Sequence, residues 1–253
     1  MIVGFYQCPS PKGDLDMGLG AVETALQSAA DANADMLVMP EVFLPGYGAT
    51  TQAAPEGWDR VEPRLSELCQ YYGTALTIGL PDYQSGQVFN TAVVFDPDGG
   101  TLARYRKIQL FGEAEKALYT PGTDHVVFGY RGKKWGLLIC YDVEFPEHVR
   151  ALVRAGVDIV LVPTANMKPF VNVNRIMVPS RAAENGVPLV YANYCGTEGA
   201  LSYTGMSVIC GPDGTALASQ DQSTGLCVAE ILGNPDAQDI PLSTQLADFQ
   251  QPG

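Results

Sequence analysis

MLVMPE, residues 36–41, runs through consecutive apolar side chains and then breaks into a proline and an acid. A run of this kind reads as a buried strand whose carboxyl end opens into a polar loop. Upstream, IVGFYQ (2–7) is strand-like, and LDMGLGAVETALQSAADANAD (15–35) has the wider apolar spacing of an amphipathic helix. Downstream the alternation continues, with helix-like WDRVEPRLSELCQYY (58–72) followed by strand-like ALTIGLP (75–81). Strands alternating with helices predict an α/β fold.

The middle of the chain changes character. NTAVVFDPDGGTLARYRK (90–107) places two strand-like runs around an Asp-Pro-Asp-Gly-Gly turn, and GMSVICGPDGTALASQ (205–220) repeats the plan. Proline fixes φ and glycine permits positive φ, so both centres favour hairpins. Between them, KWGLLICYD (134–142) and DIVLVPTAN (158–166) are further buried strands that end in polar residues. PEHVRALVRAGV (146–157) and VNVNRIMVPSRAAENG (171–186) read as helices, the second bent or restarted at Pro179. The pattern predicts two similar halves whose sheets pack face to face with helices outside. Residues 233–253 lack a periodic apolar face and read as an extended arm on a single domain spanning 1–253.

Composition narrows the function. At 253 residues and 46% hydrophobic, the chain can bury a large core, and its net charge of −13 argues against nucleic acid or anionic membrane as partner. No apolar run approaches the roughly 20 residues that cross a bilayer as a helix. MIVGFYQ starts as a strand and not as a basic leader with a long apolar region, so a cytoplasmic protein is expected. The cysteines at 8, 69, 140, 195, 210 and 227 are scattered singly, as suits reduced thiols. His125 and His148 are the only histidines, so no metal is expected. His148 reads as helix surface and His125 as structural. A serine-hydrolase elbow, a phosphate loop and a dinucleotide glycine fingerprint are all absent, which removes those enzyme classes.

Glu41, Lys107 and Cys140 each stand where an apolar strand gives way to a loop. Singly, each has an ordinary explanation as a solvated acid, a surface base or a small buried hydrophobe. Together they supply a thiol nucleophile, a base for its proton and a cation for developing negative charge. A nearby ammonium is expected to favour the thiolate over the thiol, whose usual pKa is about 8.5.

MPEVFLPGY (39–47), YRKIQLFGE (105–113) and LLICYDVEFPE (137–147) resemble the three motifs of the nitrilase superfamily, the carbon-nitrogen hydrolases, with VPTANM (162–167) and YANYCG (191–196) following in order. The resemblance implies a four-layer αββα sandwich, a homodimer or higher homo-oligomer, and no cofactor. It implies Cys140 as nucleophile, Glu41 as general base and acid, and Lys107 with the Tyr141 backbone N–H as oxyanion stabilisers. It also implies an auxiliary glutamate before Pro121-Gly122; Glu115 has the better spacing and Glu113 is the alternative. The expected activity is hydrolysis of a small aliphatic amide through a Cys140 thioester, the wording being similar to the 5-aminopentanamidase type. Other members of the superfamily (nitrilases, N-carbamoyl amino acid hydrolases, ω-amidases) and a silent binding module are the alternatives. Tyr47, Glu113, Tyr141, Glu144, Phe145 and Asn166 are the candidate substrate-binding residues. Glu144 either pairs with a substrate ammonium, caps the next helix or binds the lysine. The sequence departs from the family at Gln109, where relatives often carry histidine.

Overall fold

The computed structural model describes residues 1–231 and 242–250. The first half comprises β1 (Ile2–Gln7), α1 (Leu15–Asp31), β2 (Met36–Val38), α2 (Val61–Tyr72), β3 (Ala75–Gln84), β4 (Gln87–Phe95) and β5 (Thr101–Arg106). The second begins with α3 (Gly112–Leu118), β6 (Val126–Tyr130), β7 (Lys133–Leu137), α4 (Pro146–Arg154), β8 (Ile159–Pro163) and α5 (Val178–Asn185). It continues through β9 (Leu189–Ala192), a two-stranded ribbon of β10 (Thr197–Glu198) and β11 (Leu201–Ser202), then β12 (Val208–Cys210) and β13 (Ala216–Ser219). Last come β14 (Gly225–Glu230) and the short α6 (Gln245–Asp248).

Two six-stranded sheets result, ordered β14-β1-β2-β3-β4-β5 and β13-β12-β9-β8-β7-β6. Their topologies match. In each, three consecutive parallel strands (β1-β2-β3 and β7-β8-β9) carry an antiparallel hairpin on one side and a single antiparallel strand on the other. β14 crosses back to close the first sheet, so the halves are tied at the end of the fold as well as through their faces.

Packing explains why the central strands do not alternate. Met36 and Val38 point into the core between the sheets, while Leu37 and Met39 join the core under α1 and α2. The same division puts Ala92 and Val94 on one side of β4 and Val93 and Phe95 on the other. A strand covered on both faces needs apolar residues at every position, and each such buried side chain contributes about 1.5–3 kcal/mol. With α1 and α2 outside one sheet and α4 and α5 outside the other, the layers form the αββα sandwich.

Asp14 caps α1 by accepting from the Met17 N–H at 2.9 Å, and α2 stops at Gly73 in the left-handed conformation (φ 64°). The restart expected at Pro179 is present, because a π-helical turn over Val173–Met177 leads into α5 with the proline in its first turn. Of the expected C-terminal arm, 233–241 and 251–253 lie outside the described residues; α6 rests beside α5, and Phe249 lies 5.5 Å from the Arg154 guanidinium. Among the described residues no helix is long and apolar enough to cross a membrane.

Candidate active site

Glu41 is presented by the loop that leaves β2 over β3. The Met39 N–H donates to Thr77 O (2.8 Å), the Gly79 N–H to Pro40 O (3.0 Å) and the Phe43 N–H to Gly79 O (2.8 Å). A Cβ on Gly79 would lie 2.1 Å from the Val42 nitrogen and 2.5 Å from Glu41 Cα, so this approach requires glycine. From the other side the Tyr194 hydroxyl donates to the Glu41 and Val42 carbonyls at 2.8 and 3.0 Å.

Lys107 follows β5. Its backbone N–H donates to Asn90 O on β4 and its carbonyl accepts from the Gly122 N–H, both at 2.8 Å. Its Nζ donates to Glu41 Oε1 at 2.6 Å and to both Glu115 oxygens at 2.8 and 2.9 Å, with all three side chains buried. Glu115 is held in turn by the Tyr47 hydroxyl (2.6 Å) and the Phe111 N–H (2.7 Å). Asn90 Nδ2 donates to Glu41 Oε1 at 2.7 Å, while the buried Glu41 Oε2 has no hydrogen-bond partner among the described residues.

One ammonium between two carboxylates sets the electrostatics. Burial raises the Glu41 pKa above the usual carboxylate value against the pull of Lys107. Burial also opposes the Lys107 charge, but Glu41 and Glu115 outweigh it and hold the ammonium well above its ordinary pKa. Glu41 Oε2 is a buried acceptor without a protein donor among the described residues, placed as a base would be.

Cys140 opens a tight helical turn, Cys140–Glu144, just beyond β7, with φ at +45°. A non-glycine residue in that region costs about 1–3 kcal/mol and persists only where its surroundings enforce it. The Tyr141 N–H donates to no acceptor among the described residues. Burial and the Glu41 charge raise the thiol pKa well above normal; Lys107, Thr164 and the Ala165 N–H pull the other way and do not prevail. The ammonium thus pulls toward the thiolate as expected, but burial and the Glu41 charge act more strongly the other way, so deprotonation calls for a base.

Cys140 opens into a small cavity lined also by Tyr47, Phe111, Tyr141, Glu144, Asn166 and Phe170. Tyr47, Tyr141, Glu144 and Asn166 thus line one cavity with Cys140. Asn166 is also structural, since its Nδ2 donates to Phe170 O (3.0 Å) and Asn174 Oδ1 (2.6 Å). The Glu144 side chain neither caps α4 nor bonds Lys107, and it has no hydrogen-bond partner among the described residues. Its backbone carbonyl accepts from Arg181 Nη2 at 2.7 Å, which anchors the residue; burial raises the pKa of its carboxyl, with the charges of Lys107 and Arg181 pulling the other way.

Two substrate-binding candidates fall outside the cavity lining, as do Glu41, Lys107 and Glu115. Glu113 lies two residues from Glu115 on α3, about 200° around the helix, so only one of them can face Lys107. Its side chain is 93% exposed and pairs with Lys116 at 3.1 Å. Phe145 packs edge-on against Tyr141 (5.0 Å between ring centroids) and His148 (6.0 Å), supporting the wall from behind. His148 is buried, contrary to its reading as helix surface: its Nε2 lies 3.0 Å from Gln109 Nε2 and its Nδ1 2.8 Å from His125 Nε2. Asn90, Phe111, Thr164 and Phe170 belong to the site without a distinguishing sequence signal. Only the register of β4 on β5, with Thr91 opposite Arg106, reveals that Asn90 meets Lys107.

The carbon-nitrogen hydrolase family matches residues 2–233, and the chain belongs to that family, within the nitrilase superfamily. A Pseudomonas protegens protein described as "Hydrolase in pqqF 5'region" is 39% identical over 94% of this chain and 84% of its own length. An (R)-stereoselective amidase from a Pseudomonas species is 32% identical over 86% of this chain and 80% of its own. The solved NitN amidase of Nesterenkonia sp. AN1 superposes with a TM-score of 0.88 at 36% identity, covering 99% of this chain and 96% of that one. A glutamate-to-glutamine variant of that amidase (TM-score 0.89, 36% identity, 99% and 94% coverage) shows the acetamide moiety of fluoroacetamide covalently added at its active-site cysteine.

Proposed function

We propose that the protein hydrolyses a small aliphatic amide to a carboxylic acid and ammonia through a thioester on Cys140. The observation that carries this reading is the buried Lys107 held between Glu41 and Glu115, with one Glu41 oxygen unpartnered. Glu41 Oε2 takes the thiol proton as Cys140 Sγ attacks the amide carbon. Lys107 and the Tyr141 N–H receive the negative charge that develops on oxygen. Collapse breaks the C–N bond, and the same proton passes from Glu41 to the departing nitrogen, releasing ammonia. Water then gives a proton to Glu41 and attacks the thioester; collapse frees the acid and returns the thiol. Dividing the reaction in two lowers each barrier below that of direct hydrolysis.

The lining supports a preference within this class. Apart from Lys107, which stands outside the lining, it offers no basic side chain among the described residues, one carboxylate at Glu144, and the rings of Tyr47, Phe111, Tyr141 and Phe170. Aromatic faces and a carboxylate together attract an ammonium group and repel a second substrate carboxylate. We therefore assign short amides that carry an amino group at the far end, of the 5-aminopentanamide type, with neutral aliphatic amides also accepted. The test is ammonia release from 5-aminopentanamide, butyramide, glutaramate, an N-carbamoyl amino acid and a simple nitrile. Turnover of the first two, slow turnover of glutaramate and none in Cys140→Ala are expected. Hydrolysis of the carbamoyl compound alone would overturn the substrate class, and full activity of Cys140→Ala the mechanism.

A further inference from the structure

Asp142 takes no part in the chemistry above, yet its carboxylate is fully buried and bonded on both oxygens. Oδ2 accepts from the Ile139 N–H at 3.0 Å and from the Tyr105 hydroxyl at 2.8 Å. Oδ1 accepts from the Gln109 N–H at 2.7 Å. The Asp142 N–H donates back to Ile139 O at 3.0 Å, so residues 139 and 142 are bonded twice around Cys140 and Tyr141.

The segments that meet here are the ones the reaction must keep in register. Ile139 immediately precedes the nucleophile, and Gln109 lies two residues beyond the oxyanion-stabilising Lys107. Tyr105, two residues before Lys107, sits in β5. One carboxylate thus joins the turn bearing the thiol and the Tyr141 N–H to both sides of the lysine. It also explains how Cys140 is kept at φ +45°, since the double link between Ile139 and Asp142 leaves the intervening backbone little freedom.

We infer that Asp142 is a positioning residue, a buckle that fixes the nucleophile and the Tyr141 N–H relative to Lys107. Asparagine in its place has nearly the same shape but only one acceptor oxygen. Its amide N–H₂ would face the N–H of either Ile139 or Gln109, and one of the two links would open. Misplacement of reacting groups by about 1 Å costs on the order of 100-fold in rate. Tyr47 and Asn166 stand on other segments, and Glu144, in the same turn, is anchored separately by Arg181 at its carbonyl, so the larger loss belongs in kcat and not in KM.

This inference rests on the proposed thiol amidase activity, and the experiment separates the two. Wild type, Asp142→Asn and Tyr105→Phe are assayed with butyramide, and rates are normalised to the sites that react with a cysteine-directed alkylating agent and map to Cys140. Wild type that releases no ammonia would overturn the amidase reading itself. With wild type active, Asp142→Asn is expected to lose about 10- to 100-fold in kcat per titrated thiol with KM within twofold. A kcat per titrated thiol equal to wild type, with only the number of titratable sites reduced, would mean a merely structural role and overturn the inference. Tyr105→Phe removes one donor and leaves both backbone links; if Asp142→Asn does not fold, this variant decides. It is expected to lower kcat two- to fivefold at unchanged KM, and an unchanged kcat would overturn the inference.

Discussion

Two lysine–glutamate pairs meet on α3 and share almost nothing but their chemistry. Glu113 and Lys116 pair at 3.1 Å on the outer face, with side chains 93% and 57% exposed. Glu115 and Lys107 pair at 2.8 and 2.9 Å inside, with side chains 3% and 0% exposed. Water competes for the outer pair and screens it, so it contributes little. The inner pair has no water to fall back on. Its value is positional: it fixes an ammonium beside Glu41 and the nucleophile turn, and removing one partner strands a charge. The number of ion pairs on a helix therefore says nothing about function until burial is known.

The comparison is broken most severely at Lys107. Lys107→Gln is expected to lower kcat by about 1,000-fold, the upper range for loss of one oxyanion stabiliser. It also leaves Glu41 and Glu115 without their shared cation, so thermal unfolding should show a loss of about 3–5 kcal/mol. Glu115→Gln should lower kcat by about 100-fold, because the amide keeps part of the hydrogen bonding but no longer holds the ammonium by charge. Steady-state kinetics with butyramide checks both.

A pH profile sharpens the same contrast. In the proposed mechanism Glu41 must be ionised to accept the thiol proton, and burial raises its pKa. Activity should therefore fall on the acid side at a pH above the ordinary glutamate value of about 4.3, and recover as pH rises through the raised pKa. The sign for stability is opposite. A carboxyl whose folded pKa is raised favours the folded state when protonated, so this residue's contribution is fully present below the unfolded pKa and is lost as pH rises through the folded one. An acid limb of kcat/KM at or below about 4.3 would contradict the assignment of Glu41 as base. At the small end, Glu113→Gln should leave kcat, KM and melting temperature unchanged within twofold and a degree or so, since an exposed pair carries little.

Much of this arrangement is legible in the chain. Glu41, Lys107 and Cys140 each stand at or just beyond the end of an apolar strand, and the repeated Pro-Asp-Gly hairpins expose the two matching halves. The spacing to Pro121-Gly122 picks out Glu115, and α3 then places Glu113 on the opposite face. What was not legible depends on contacts between distant segments. His148 sits beside Val149 on α4, at the margin of the apolar stripe, and is buried because His125 and Gln109 arrive from elsewhere. The positive φ of Cys140 has no residue-type signature, as a glycine would have given, because Asp142 and its partners impose it from outside. The thiol's state likewise follows from burial and the Glu41 charge, which outweigh the ammonium that sequence alone makes prominent.

The central claim is that Cys140 carries the acyl group. Intact-mass spectrometry of the enzyme quenched during turnover of butyramide, followed by peptide mapping, tests it most directly. The account predicts a butyryl adduct on the peptide containing Cys140 that builds and decays with substrate and is absent from Cys140→Ala. Ammonia release by wild type with no such adduct, matched by an equally active Cys140→Ala, would contradict it.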